Sequence, residues 1–190
     1  GAASAMPDLS ACGQEQGRVS TTERPRPGRS VFDEHPHAGG APRARVREAY
    51  LDATAALGEL HLEPRTGFGE LSGDEPIITS TWRGYLERRA AVNLAASLPE
   101  FRSVDGVALA AALPDAEASA FVHFDAFTGN MLTDGTRITA VIDFGPTAVA
   151  GDRRLDPLSA VVYLASPDIT PVATPADLDV APIEVTVCQR

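Results

Sequence analysis

Apolar positions along this chain change their spacing partway through, and the change separates helical stretches from strand-like ones. Val46, Tyr50, Ala53, Leu57 and Leu60 recur every three or four residues, which predicts an amphipathic helix from Arg43 to about His61. Pro64 to Gly73 reads as a loop and Pro76 to Thr79 as a short strand. Trp82, Tyr85, Leu86 and Leu94 form the stripe of a second helix, Trp82 to Ser97, capped by Ser80 or Thr81. A third spans Val104 to Leu113, with Ser103 or Asp105 at its start. Then the period shortens. Ala120 to His123 is a β-prone run, Asp125 to Gly129 a polar loop, and Met131–Thr133 and Arg137–Ile142 flank Asp134-Gly135, a pair typical of tight hairpins. Asp156 and Pro157 open a last helix, with Leu158, Val161, Val162 and Ala165 facing inward.

The flanks carry no such period. Residues 1–42 are rich in Pro, Gly, Ser, Thr and Arg and read as a disordered or irregular N-terminal segment. Residues 166–190 read as an irregular Pro-rich tail, in which Ile183–Val187 is a short strand at most. The organised part, 43–165, is expected to be an α+β domain with helices packed around a small antiparallel hairpin sheet. Cys12 and Cys188, near opposite ends, are expected as free thiols. His35-Pro36-His37 offers two imidazoles with no third ligand nearby and reads as polar loop.

Charge narrows the partners. A net charge of −10 argues against nucleic acid, whose phosphates need a basic face. It favours cationic ligands instead, while a solvated acidic surface explains the charge equally well. No apolar run reaches the ~18 residues of a membrane helix, and the start lacks a basic-then-apolar leader pattern. No membrane association and a cytoplasmic location are therefore expected.

The hairpin is where chemistry gathers. With Asp134 and Gly135 as its two loop residues, Met131 would face Ile138, and Asp143 would face the chain near Ala126, one residue from Asp125. Strands rise only ~3.3 Å per residue, so a slip of one or two positions would not part them. Two carboxylates and the Asn130 amide then meet at one end of the hairpin. Such oxygens are hard ligands of the kind Mg²⁺ takes, and a second carboxylate beside them suits orienting or deprotonating an attacking alcohol. A solvated hairpin with a polar loop is the plainer alternative.

His123-Phe124-Asp125 through Asn130, followed by Ile142-Asp143-Phe144-Gly145, resembles the catalytic segment of the aminoglycoside phosphotransferases and related small-molecule kinases. The resemblance covers roughly Arg43 to Ala165 and implies a protein-kinase-like C-terminal lobe. It implies Asp125 as catalytic base, Asn130 and Asp143 as Mg²⁺ ligands, ATP or GTP as phosphoryl donor, and a small hydroxylated, cationic acceptor. His123, Phe124, Phe127 and Asp152 become candidate substrate contacts. Many members carry Gly where this chain has Phe124 and His where it has Phe127.

One count sets the chain apart: all 16 basic residues are Arg. Such kinases grip nucleotide phosphates with a Lys beneath a glycine-rich loop, and Gly67-Phe68-Gly69 is only a fragment of that loop's pattern. The nucleotide-covering lobe is therefore expected to be missing, with a separate N-lobe or a homodimer as partner. The alternatives are a ligand-sequestering module without chemistry, a partner-dependent half, and a metal-dependent hydrolase.

Overall fold

The computed structural model describes residues 9–15, 18–62 and 67–166. The readings for Ile183–Val187, the tail from 167 on and Cys188 lie outside the described residues. In chain order the elements are β1 (Leu9–Glu15), β2 (Arg18–Glu23), β3 (Arg29–Ser30), α1 (Val31–Glu34), α2 (Gly40–Leu57), β4 (Phe68–Glu70), β5 (Ile78–Thr79), α3 (Trp82–Ala96), α4 (Gly106–Ala112), β6 (Ala120–Val122), β7 (Met131–Thr133), β8 (Ile138–Val141), β9 (Val149–Gly151) and α5 (Leu155–Ala165). The fold is α+β, and among the described residues the strands form three small antiparallel sheets, the expected hairpin lying within one of them. Among the described residues no helix is long and apolar enough to cross a membrane.

The described residues fall into two compact units. One contains the chain up to Ala56, Asp125–Phe144 and the part from Asp156 on; the other contains Leu57–Phe124 and Gly145–Leu155.

In the first unit β1 and β2 form a hairpin, and the sheet order β3-β7-β8 builds the second sheet. Both lie partly in the stretch whose sequence suggests irregular chain. β3 is two residues long, too short for any alternation to announce it. Ser30 caps α1, accepting a hydrogen bond from the Asp33 amide. Arg43, on α2, donates to the carbonyls of His35, Pro36 and Ala38 and so fastens the α1–α2 connection. Helix α2 starts three residues before the predicted Arg43 and stops at Leu57. Val46, Tyr50, Leu51 and Thr54 are its buried positions in this unit.

Helix α5 departs from its predicted face. Asp156, Ala160, Val161 and Leu164 are buried, while Leu158 and Val162 are 47% and 60% exposed. Asp156 was expected as the cap; the helix begins at Leu155 instead, and the carboxylate turns inward at 2% exposure. The whole stripe rotates with it.

The second unit carries a four-stranded sheet of order β5-β4-β9-β6, with α3 and α4 alongside. Its core gathers Phe68, Trp82, Tyr85, Val122 and Val149, with Trp82 and Tyr85 stacked at 5.2 Å. Thr81, of the two predicted candidates, caps α3 by accepting from the Gly84 amide; Asp105 caps α4 through the amides of Val107 and Ala108. Gly67-Phe68-Gly69, expected within a loop, opens β4 instead. Gly69 has φ +142°, and a Cβ there would run into the Ile77 carbonyl. These glycines let β4 lie close to β5.

Candidate functional site

The β7–β8 hairpin sets the geometry, and its register differs from the two-residue turn. Met131 faces Val141 and Leu132 faces Ala140, three positions from the predicted pairing. The cause is Asp134. Its carboxylate accepts hydrogen bonds from the amides of Thr136 and Arg137 and from the Thr136 hydroxyl, and its own amide donates to the Arg137 carbonyl. These bonds hold Asp134–Arg137 as a wider loop, in the way short acidic side chains nucleate turns. They also hold the Asp134 carboxyl well below its usual range.

The slip moves Asp143 away from Ala126 along the ladder but keeps it beside Asn130. The Ile142 amide donates to the Asn130 carbonyl at 2.9 Å, so Asp143 is the next residue after that bridge. Asn130 itself is buried at 7% exposure. Its Nδ2 donates to the Asp125 carbonyl at 2.9 Å and reaches the Asp125 carboxylate at a long 3.5 Å. Its amide nitrogen donates to the Phe127 carbonyl. One residue thus joins the loop of Asp125 to the strand that leads into Asp143.

With Nδ2 committed to Asp125, the Oδ1 of Asn130 is the oxygen available to a cation. Asp143 is exposed, and its carboxylate makes no hydrogen bond among the described residues. One amide oxygen and one carboxylate suit Mg²⁺, which keeps several waters and takes few protein ligands. Among the described residues no group of three or more His, Cys, Asp or Glu forms a closed metal cage.

Two residues carry a left-handed backbone. Phe124 and Asp143 have φ of +66° and +61°, and they are the described non-glycine residues with positive φ. Asp tolerates this conformation; an aromatic residue does so at a cost of ~1–2 kcal/mol. Phe124 stands where glycine is common in the resembling kinases, and the left-handed backbone is a physical reason for that preference.

Two tyrosines that the sequence does not mark as site residues bracket the loop. Tyr50, on α2, is fully buried and donates from its hydroxyl to the Ala126 carbonyl at 2.8 Å. Burial, then the neighbouring Tyr163 and Asp156, push its phenol well above the usual value. Tyr163, on α5, meets Phe127 edge-on, with ring centroids 6.2 Å apart. Burial, then the charges of Asp125 and Asp156, raise its phenol too. A buried-stripe tyrosine needs a partner for its hydroxyl, and that was the available signal for Tyr50. Tyr163 was hidden because the α5 stripe was expected one turn-face away.

The remaining predicted contacts belong to the second unit. His123 is fully buried, and its carbonyl accepts from the Thr147 hydroxyl. Phe124 is 41% exposed. Asp152 accepts from the Arg154 amide and guanidinium at the start of α5. Burial pushes its carboxyl up, but the hydrogen bonds and charge of Arg154 outweigh this and hold it below the usual range. A turn-forming ion pair accounts for the geometry of Asp152.

A family model described as the phosphotransferase enzyme family matches residues 11–175. No match is found among curated proteins. Among solved structures, the chain is similar to a thermostable mutant of aminoglycoside phosphotransferase APH(4)-Ia in ternary complex with AMP-PNP and hygromycin B, with a TM-score of 0.62 and 21% identity over 84% of this chain and 55% of that one. The apo form of a thermostable mutant of the same enzyme gives 0.59 and 22%, over 81% and 54%. Another crystal structure of the enzyme gives 0.58 and 22%, over 84% and 55%. The likeness carries the fold, which is kinase-like, and the chain spans just over half the length of these structures.

Proposed function

The chain belongs to the phosphotransferase enzyme family, and from that premise we propose that it transfers the γ-phosphoryl of ATP or GTP to a hydroxyl of a small molecule. The observation that carries this is the threefold anchoring of Asn130, which ties the Asp125 loop to the strand end bearing Asp143. In this reading Asp125 accepts the proton of the acceptor hydroxyl, the role a positioned carboxylate fills in general base catalysis. Its carboxylate is half-buried and has acceptor capacity beyond the single long contact from Asn130. Asn130 Oδ1 and Asp143 would hold Mg²⁺, which when bound would neutralise charge on the transferring phosphate. Tyr50 keeps the loop in place through the carbonyl that follows Asp125.

The proposed catalytic portion is 43–165. A similar fold that holds AMP-PNP and hygromycin B together supports a nucleotide and a cationic polyol as the two ligands here. With arginine as its only long basic side chain, the chain lacks the point-charge grip of lysine on phosphate. A separate N-lobe or a second copy is the partner proposed to complete the nucleotide site.

The test is phosphorus NMR on the chain with Mg-ATP or Mg-GTP and a panel of hydroxylated cationic sugars. A new phosphomonoester signal that depends on nucleotide, acceptor and Asp125 is expected. Acceptor binding with no transfer under any nucleotide, and with no partner restoring it, would replace this reading with sequestration.

A further inference from the structure

The arm from Leu98 to Leu113 turns its large side chains outward. Every large apolar residue on it, Leu98, Phe101, Val104, Val107, Leu109 and Leu113, is at least 38% exposed. Along α4 the usual order of burial is inverted. Its small residues face α3: Ala110 is buried, and a Cβ on Gly106 would come within 2.8 Å of Ala90 and 3.1 Å of Leu94. A helix that serves only its own core puts its large residues on that side. The arm is also tied down along its length. Arg102 Nε donates to the Ser97 carbonyl, and the amides of Phe101, Arg102 and Val104 donate to the carbonyls of Leu98, Pro99 and Phe101. At the far end the Arg83 guanidinium donates to the Leu113 carbonyl. A surface fixed in this way loses little freedom when something covers it.

Area and charge together select the occupant. The six side chains expose roughly 500 Å² of apolar surface, a size at which a patch is often functional. Two copies meeting there would hide about 1,000 Å², the threshold of a specific but weak contact. The whole chain carries a net charge of −10, so two copies repel wherever acidic surfaces face each other. On this arm the charged residues are Glu100, Arg102 and Asp105, and the Asp105 carboxylate is taken up in capping α4. That leaves one exposed residue of each sign, two positions apart, at the patch. Such a pair is self-complementary about a two-fold axis. An anionic membrane would repel a chain of this charge, and a basic partner would be drawn to its acidic surfaces instead. We propose that this arm is where two copies of the chain meet, with Arg102 of each beside Glu100 of the other. No residue of the phosphotransferase site takes part, so a chain without activity would pair in the same way.

The experiment is sedimentation equilibrium on the 190-residue chain of 19.9 kDa, over a hundredfold range of loading centred on roughly 50 µM. The mass is expected to rise from one chain to two and stop there, with a dissociation constant on the order of tens of micromolar, as suits a contact of this size. Arg102→Glu and Glu100→Arg, each alone, set like charges opposite one another and should weaken pairing at least about tenfold. The double swap restores the pairs and should restore the dimer. Leu109→Asp should weaken it as well. Thermal unfolding is the folding control, and Glu100→Arg with Leu109→Asp carry the test if Arg102→Glu, which gives up the Ser97 contact, does not fold. A monomer at every loading, growth past two copies, or a dimer indifferent to Glu100→Arg and Leu109→Asp overturns the proposal. A monomer that floats with phosphatidylcholine vesicles overturns it too, in favour of a lipid surface.

Discussion

Removing one oxygen from Tyr50 tests how the Asp125 loop is held. The Tyr50 hydroxyl donates to the Ala126 carbonyl at 2.8 Å, and the two residues are 0% and 1% exposed. Water has no access to replace the bond. Tyr50→Phe fills nearly the same volume, so the cost is that of stranding a buried carbonyl, ~1–3 kcal/mol. At about 2–4 °C per kcal/mol for a domain of this size, the melting temperature should fall by about 2–12 °C. The carbonyl belongs to the residue after Asp125, and small misplacements of catalytic groups cost up to ~10²-fold. Turnover should therefore drop about tenfold or more, with a smaller change in KM. A second readout comes from alkali. An unfolded Tyr50 ionises near its ordinary value of 10.0, whereas the folded phenol stays protonated well above it. Above that pH the unfolded chain binds fewer protons, so this group's contribution to stability is complete below about pH 10 and is lost as pH rises towards the folded value. Phenylalanine has no such proton, and the alkaline limb of melting temperature against pH should flatten. The assay is calorimetry from pH 7 to 11 with steady-state phosphoryl transfer on the same samples. Unchanged melting, turnover and alkaline slope would refute the tether.

The other expectations follow from single contacts. Asp143→Asn should weaken Mn²⁺ or Mg²⁺ binding, while Asp125→Asn should spare it and lower turnover ~10²–10⁴-fold; the reverse pattern in a metal titration reverses the assignment. At Phe124, φ is +66°, so Phe124→Gly should be more stable than Phe124→Ala by about 1 kcal/mol in urea unfolding. Ordinary positions show the opposite order, and finding that order here would exclude the left-handed backbone. Asp152 has a lowered folded pKa, so its stabilisation is present above the usual carboxylate range and fades as pH falls through the folded value. Asp152→Asn should therefore flatten the acid limb of stability below the usual carboxylate range; an unaltered limb would remove the Arg154 pairing from the account.

Much of the architecture was legible because its signals are local. The α3 stripe and its Thr81 cap, and the Asp105 cap of α4, needed only a period and a side chain able to reach an amide. So did the order of Asp125, Asn130 and Asp143 around a hairpin. What escaped depended on distant chain or on polar competition. Asp134 spent its carboxylate on Thr136 and Arg137 and widened a turn that Asp-Gly alone would have closed in two residues. Asp156 went inward, towards tyrosines on α2 and α5, and carried the α5 face with it. The strand Val149–Gly151 is three residues long, too short for any period, and is recognisable only once β4 and β6 flank it.

Asn130 makes the proposed base and the proposed metal ligands heritable only as a set. Its side chain and amide are committed to the Asp125–Phe127 loop and its carbonyl to Ile142, so a change at this position acts on both proposed functions at once. Asn130→Asp illustrates the constraint. On paper it adds a stronger cation ligand; in place it swaps the donor facing the Asp125 carbonyl for an acceptor and sets a second anion near the Asp125 carboxylate. Any gain in metal affinity would arrive with a displaced base. Substitutions at 125, 130 and 143 should accordingly be epistatic, with coupling energies of ~0.5–3 kcal/mol rather than additive effects. Drift away from catalysis would then be abrupt, because the first change to this knot loosens every strand tied into it.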